Sequence, residues 1–136
     1  MKHTVEFIAL CDDARARVKE ITVDRLFEEL DNETYTIIDV RENDEYFAGA
    51  IPNAKHLSKG WVEAKAHCVI PDKTSDVILY CGGGNRSLIA ADNLQKMGYK
   101  NIRSLSGGYK KWLASDFNTV IPQEDSLIEE QQESHS

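Results

Sequence analysis

Apolar residues recur along this chain at two spacings, one helical and one continuous, and the two take turns. Between residues 4 and 19, Phe7, Leu10, Cys11, Ala14 and Val18 fall on one helical face, with acids early and Arg15, Arg17 and Lys19 late, as the helix dipole favours. The spacing predicts an amphipathic N-terminal helix. Val23, Leu26, Phe27 and Leu30 repeat the pattern over about Val23 to Leu30, with Thr22 available as the N-cap. The pattern then switches. YTIIDVR is a short β-branched run that fits a buried strand ending near Val40, and DVILYC is a second such run. NIRSL makes a third.

The segments between these strands return to helical spacing. NDEYFAGAIPNAKHL predicts a helical turn, a break at Gly49 and a short extended piece through His56; WVEAKAHCVI predicts a helix, followed by a loop from Pro71 to Asp76. From Arg86 to Met97, Ala90, Leu94 and Met97 share one face, and Gly98 suits the C-terminal cap. After the SGG turn, YKKWLAS predicts a last helix. Strands alternating with helices of these lengths predict an α/β domain with a central parallel sheet flanked by helices. The 136 residues are about the size of one domain. The organisation expected is a helical extension over 1–20, the α/β domain over 21–118 and a tail over 119–136.

Composition changes this picture only at the ends. The apolar fraction of 41% and charged fraction of 29% suit a soluble globular protein. Of the formal charge of −7, five acids lie in residues 122–136, which hold no Lys or Arg, so the body keeps 18 acidic against 16 basic residues. That balance offers no basic face for nucleic acid. The tail PQEDSLIEEQQESHS is polar, acidic and aperiodic, the composition of a disordered segment. The first apolar run is broken at Glu6 and lacks a small-residue cleavage site, and no stretch approaches the roughly 20 apolar residues that span a bilayer. The cysteines, Cys11, Cys68 and Cys81, have no metal-ligand spacing, which points to a cytoplasmic protein with reduced thiols and no membrane contact.

The chemistry concentrates in VILYCGGGNRS. A strand that ends on Cys81 and leads through three glycines into a helix aims the sulfur at the helix N-terminus, where backbone N–H groups are unpaired and the dipole is positive. A thiolate is favoured in such a place. Gly82, Gly83 and Gly84 also let several N–H groups converge as an anion-binding nest, able to cradle a thiolate, a persulfide or a small oxyanion. The plain alternative is a buried strand-end cysteine followed by a tight turn. Burial, however, needs neither three glycines nor Arg86 and Ser87 at the helix start. Because sites in parallel sheets lie beyond the carboxyl ends of the strands, Asp39 and Arg41 of IIDVR join Cys81 near one sheet edge.

CGGGNRS resembles the active-site loop of the rhodanese-type sulfurtransferases, in which four residues separate Cys from Arg and a Ser or Thr follows. IIDVRENDEYFAGAIPNA and IRSLSGGYKKW are similar to two further signatures of that family, in the same order, and together the three cover about residues 21 to 114. The resemblance implies a single rhodanese-like domain in which Cys81 is the sulfur-carrying nucleophile. It implies that Gly82, Gly83, Gly84, Asn85, Arg86 and Ser87 form the loop around the bound sulfur. Asp39 and Arg41 match an Asp-x-Arg element that braces the loop, and Glu45 and Tyr46 a structural pair. Where the family commonly has Gly-His-Ile-Pro-Gly-Ala, this chain reads Gly49, Ala50, Ile51, Pro52, Asn53, Ala54, so a histidine near the site is replaced.

The reaction so implied is covalent: Cys81 takes a sulfane sulfur from thiosulfate or a persulfide, and a thiol, on a small molecule or a protein, or cyanide removes it. It requires no metal or organic cofactor. Arg86 is the only charge in the loop, and its side chain is expected to turn back to the scaffold, which leans the donor toward a protein or low-molecular-weight persulfide. Two alternatives stand beside this: a phosphatase or arsenate reductase gripping an oxyanion with the Cys–Arg loop, and a non-catalytic binding module of the same fold. The former loops generally hold five residues between Cys and Arg, and this one holds four. Cys68 reads as packed, Cys11 as core or interface, and Trp61 and Trp112 as packing anchors. The sequence leaves the oligomeric state open.

Overall fold

A computed structural model describes residues 3–31 and 34–123. In chain order the elements are α1 (Val5–Arg15), β1 (Lys19–Ile21), α2 (Val23–Glu29), β2 (Tyr35–Asp39), α3 (Asn43–Ala48), β3 (Lys55–His56), a 3-10 turn (Lys59–Trp61), α4 (Val62–Val69), β4 (Asp76–Tyr80), α5 (Arg86–Lys96), β5 (Asn101–Leu105) and α6 (Gly108–Ala114). The five strands form one sheet in the order β1-β5-β4-β2-β3, and every pair is parallel. This is the α/β architecture with a flanked parallel sheet that the pattern predicts.

The continuous apolar runs follow from burial on both faces. In β4, Val77, Ile78, Leu79 and Tyr80 are all fully buried. Val77 and Leu79, with Ile38, Val40 and Ile102, face α4 and α5 through Val62, Ala66, Leu88, Ala91 and Leu94, and Ala14 and Val18 join this layer. Ile78 and Tyr80, with Ile37 and Leu105, face α2 and α6 through Val23, Leu26, Tyr109 and Trp112. Each buried Val, Leu or Ile among them contributes about 1.5–3 kcal/mol by leaving water. Thr4 and Thr22 cap α1 and α2 by accepting from the N–H groups of Phe7 and Arg25.

The chain departs from its sequence pattern at several places. The first helix stops at Arg15, and Lys19–Ile21, read as its end and the following link, makes the edge strand β1 beside β5. Only Ile21 of that strand is buried, so it leaves no periodic trace. Leu10, placed on the inner face, is 61% exposed, and the buried positions of that face are Cys11, Ala14 and Val18. Met97 lies beyond the end of α5 and is partly exposed rather than packed. Cys68 is exposed, not packed: Val62, Ala66 and Ile70, at successive i, i+4 positions, take the inward face of α4 and its end. Trp61 is exposed with the Lys65 ammonium over its ring, whereas Trp112 is the buried anchor expected.

α1 is fastened to the domain by polar ties as well. Arg17 donates to both oxygens of Asp92 on α5 at 3.0 and 2.8 Å, and Gln95 Nε2 donates to the Arg17 carbonyl at 3.0 Å. The Arg17 hydrogen bonds hold the Asp92 carboxyl below the usual carboxylate range. At the other end, Ala50 and Val120 exchange two backbone bonds of 2.9 Å. The predicted tail beyond Gln123 lies outside the described residues, among which no helix is long and apolar enough to cross a membrane.

Candidate active site

From the middle of the sheet, β2 leads toward one edge through β3 and β4 toward the other through β5, and the carboxyl ends of such an adjacent pair are where sites in parallel sheets lie. β4 delivers Cys81 there and β2 delivers Asp39 and Arg41. All three are at least 96% buried, with exposures of 1%, 0% and 4%.

The Cys81 sulfur sits inside its loop. Gly84 N–H donates to Sγ at 3.2 Å and Ser87 N–H at 3.3 Å, while Ser87 Oγ lies 3.4 Å away. The N–H groups of Gly82, Gly83, Asn85 and Arg86 have no acceptor among the described residues. The loop is thus a nest with two donors engaged on sulfur and four remaining. Its outer side is held by α6: Tyr109 N–H donates to the Cys81 carbonyl at 2.8 Å and Lys110 N–H to that of Gly82 at 2.9 Å. This contact explains the SGG turn. Gly108 has φ +60°, and a Cβ there would fall 2.5 Å from the Cys81 oxygen. Gly84 has φ +95°, and a Cβ there would fall 3.0 Å from the Gly107 nitrogen. Gly82 and Gly83 differ: neither has positive φ, and a Cβ on either would meet nothing within 4 Å.

Asp39 and Arg41 engage each other first. Asp39 accepts from the Arg41 backbone N–H at 2.9 Å and from its guanidinium at 2.7 to 3.2 Å, and Arg41 Nη2 donates to the Gly49 carbonyl at 2.6 Å. The pair reaches the sulfur loop only indirectly, because the guanidinium lies 4.0 Å over the ring of Tyr109, whose N–H holds the Cys81 carbonyl. Beside them, burial and then the Asp39 charge push the Tyr80 phenol far above the tyrosine range, and its oxygen accepts from Ile51 N–H at 3.1 Å.

Arg86 turns away from the sulfur. Its Nη2 lies 3.8 Å from Glu45 Oε1 on α3, and Glu45 also closes the capping box of that helix with Glu42. Tyr46 stacks on His56, whose Nε2 contacts the Arg41 carbonyl at 2.8 Å. Ala50, at the position where a histidine was expected, is buried in its bridge to Val120.

Three contributors escaped the sequence reading. Tyr109 links the Arg41 bracket to the loop. Cys11 on α1 is buried and donates to the Asn85 carbonyl at 3.7 Å, and burial pushes its thiol above the ordinary range. Ser104 of β5, fully buried, lies 2.8 Å from Ser87 Oγ. A signal for Ser104 existed: alternation puts it on the same sheet face as Ile102, where a small hydroxyl is out of place.

Comparison with known proteins bears on the family and the fold. The Rhodanese-like domain model matches residues 22–115. The chain is 37% identical over 78 residues to the thiosulfate sulfurtransferase GlpE of Coxiella burnetii, covering 57% of this chain and 71% of that one. It is 30% identical over 96 residues to YrkF of Bacillus subtilis, named for a sulfur carrier, covering 70% of this chain but only 51% of that relative's length. Among solved structures, a Rhodopseudomonas palustris protein of unknown function, whose description raises a tyrosine phosphatase, superposes with a TM-score of 0.78 at 23% identity, over 88% of this chain and 99% of that one. That likeness speaks for the fold alone. With its sheet, its loop and a family match over most of its length, this chain belongs to the rhodanese-like domain family.

Proposed function

We propose that the protein is a sulfurtransferase that carries sulfur as a Cys81 persulfide. The observation that carries the reading is the nest: Gly84 and Ser87 N–H groups already converge on Sγ while four neighbouring N–H groups have no acceptor among the described residues. In the first half-step the Cys81 thiolate attacks the sulfane sulfur of the donor, and that sulfur's bond to the donor breaks. The donor leaves with the electron pair, as sulfite from thiosulfate or as a thiolate from a persulfide. In the second, an acceptor thiolate or cyanide attacks the outer sulfur and Cys81 leaves as thiolate. The outer sulfur, about 2 Å beyond Sγ, would take up the remaining donors of Gly82, Gly83, Asn85 and Arg86. Asp39 and Arg41 support the loop through Tyr109 and do not react.

The mouth supports a donor class. Gly82 and Gly83 line it without side chains although nothing in the fold requires glycine at either, and the Arg86 guanidinium lies 3.8 Å from Glu45. Arg86 is the only charge inside the loop, with Lys59 the nearest candidate at its mouth, so the reading favours a protein or low-molecular-weight persulfide over a dianion such as thiosulfate, which is accepted in vitro. The relative named thiosulfate sulfurtransferase is compatible with the latter. The acceptor is a thiol, on a small molecule or on a protein. All three cysteines are free, as the chemistry requires, and a reducing cytoplasm would keep them so.

Thiocyanate formation from thiosulfate and from a small persulfide, beside hydrolysis of a phosphate ester, tests the reading in wild type and Cys81→Ser. Thiocyanate formed by wild type only, faster from the persulfide, is expected. Phosphate release without thiocyanate would overturn it.

A further inference from the structure

Hydroxyl arithmetic around Ser87 leads to a residue outside the sulfur loop. Ser87 Oγ lies 3.4 Å from Cys81 Sγ, 3.4 Å from the Gly84 carbonyl oxygen and 2.8 Å from Ser104 Oγ, and both serines are fully buried. A hydroxyl has one proton and two lone pairs. With Cys81 as a thiol, every group is satisfied: S–H donates to Ser87, Ser87 donates to the Gly84 carbonyl, and Ser104 donates to the second lone pair of Ser87. With Cys81 as a thiolate, the Ser87 proton can swing from the carbonyl to the sulfur, beside the N–H groups of Gly84 and Ser87. The swing requires that Ser87 not donate to Ser104. Ser104 has no other hydrogen-bond partner for its hydroxyl among the described residues, so a buried proton there goes to Ser87.

We propose that Ser104 is a positioning residue for Cys81: by donating to Ser87 Oγ it polarises that hydroxyl, which then gives its own proton more strongly to negative charge on the Cys81 sulfur. The register supports this assignment, since Ser104 pairs with Leu79, two residues before Cys81, and occupies the sheet face from which α5 departs. The inference rests on Cys81 as the reacting thiol but not on the nature of its sulfur donor.

The test is the pH profile of iodoacetamide alkylation at Cys81, followed peptide by peptide in the full chain, for wild type, Ser104→Ala, Ser87→Ala and the double variant. Strengthening one hydrogen bond to a charged group through its neighbour corresponds to about twofold to fourfold in rate. Ser104→Ala is expected to slow alkylation by that factor at neutral pH, to move the profile to higher pH with rates converging in alkaline buffer, and to add nothing in the Ser87→Ala background. Ser104→Thr, which keeps the hydroxyl, is expected to restore the wild-type profile. An unchanged profile, or an equal slowing whether or not Ser87 is present, overturns the proposal, since a role in packing alone gives one or the other. Should Ser104→Ala not fold, Ser104→Cys, a weaker donor, is expected to give an intermediate profile, and a wild-type profile there would overturn it as well. Alkylation does not depend on sulfur transfer, so failure of the sulfurtransferase reading shows separately, as absent thiocyanate with the Ser104 effect intact.

Discussion

The ends of β2 and β4 are neighbours in the sheet and opposites in design. At β2, Asp39 and Arg41 are buried charges that satisfy each other and the Gly49 carbonyl. At β4, Cys81 is equally buried, yet the loop around it keeps four N–H groups without an acceptor among the described residues. A buried polar group that is fully paired stabilises and reacts with nothing; one left with spare donors is poised for a ligand. On the proposed function the chemistry falls at β4 and the scaffolding at β2, although the β2 residues carry the formal charges.

The comparison can be broken in order of expected effect. Cys81→Ser should abolish sulfur loading while the protein still unfolds cooperatively, since the serine oxygen can accept from the same Gly84 and Ser87 N–H groups. Arg41→Ala should do the reverse: it leaves Asp39 buried without its partner and should cost about 3–5 kcal/mol in denaturant unfolding. If Arg41→Ala instead abolished loading at full stability, the division of labour would be wrong. The glycines sharpen the contrast further. Gly108→Ala, at φ +60° and against the Cys81 carbonyl, should cost about 2 kcal/mol or more and slow loading, whereas Gly83→Ala should stay within about 0.5 kcal/mol.

The smallest effect concerns pH and the α1 tie. The folded state lowers the Asp92 carboxyl through its Arg17 hydrogen bonds, so the stability it contributes is present above the ordinary carboxylate value and is lost as pH falls through the lowered one. Asp92→Asn should therefore cost about 1 kcal/mol at neutral pH and nearly nothing in acid, where both proteins lack the charge. Equal losses at both ends of a pH series of denaturant melts would remove the tie from the account.

How much of this could be read in advance depended on how local each cause is. β2 and β4 announced themselves because burial on both faces demands continuous apolar runs, and the Cys81 loop because its backbone needs Gly84 and its helix starts at Arg86. β1 did not, having a single buried residue, Ile21, and an edge position set by β5 far along the chain. The exposure of Cys68 and Trp61 likewise depended on which face of α4 met the sheet. Ser104 and Cys11 touch the loop from 17 and 74 residues away, so that even where strand alternation marks Ser104 as unusual, its partner Ser87 is not legible from spacing. The scaffold motif was legible as residues, but its route to the loop, through the Tyr109 ring, was not.

The central claim is that Cys81 carries sulfur as a persulfide held by its nest. The most direct measurement is the intact mass of wild type and Cys81→Ser after incubation with a small persulfide and removal of excess donor, recorded without reductant and again after cyanide. The account predicts a gain of one sulfur atom on the wild type alone, reversed by cyanide with release of thiocyanate. A wild type that gains no sulfur, or a Cys81→Ser protein that gains it equally, would contradict it.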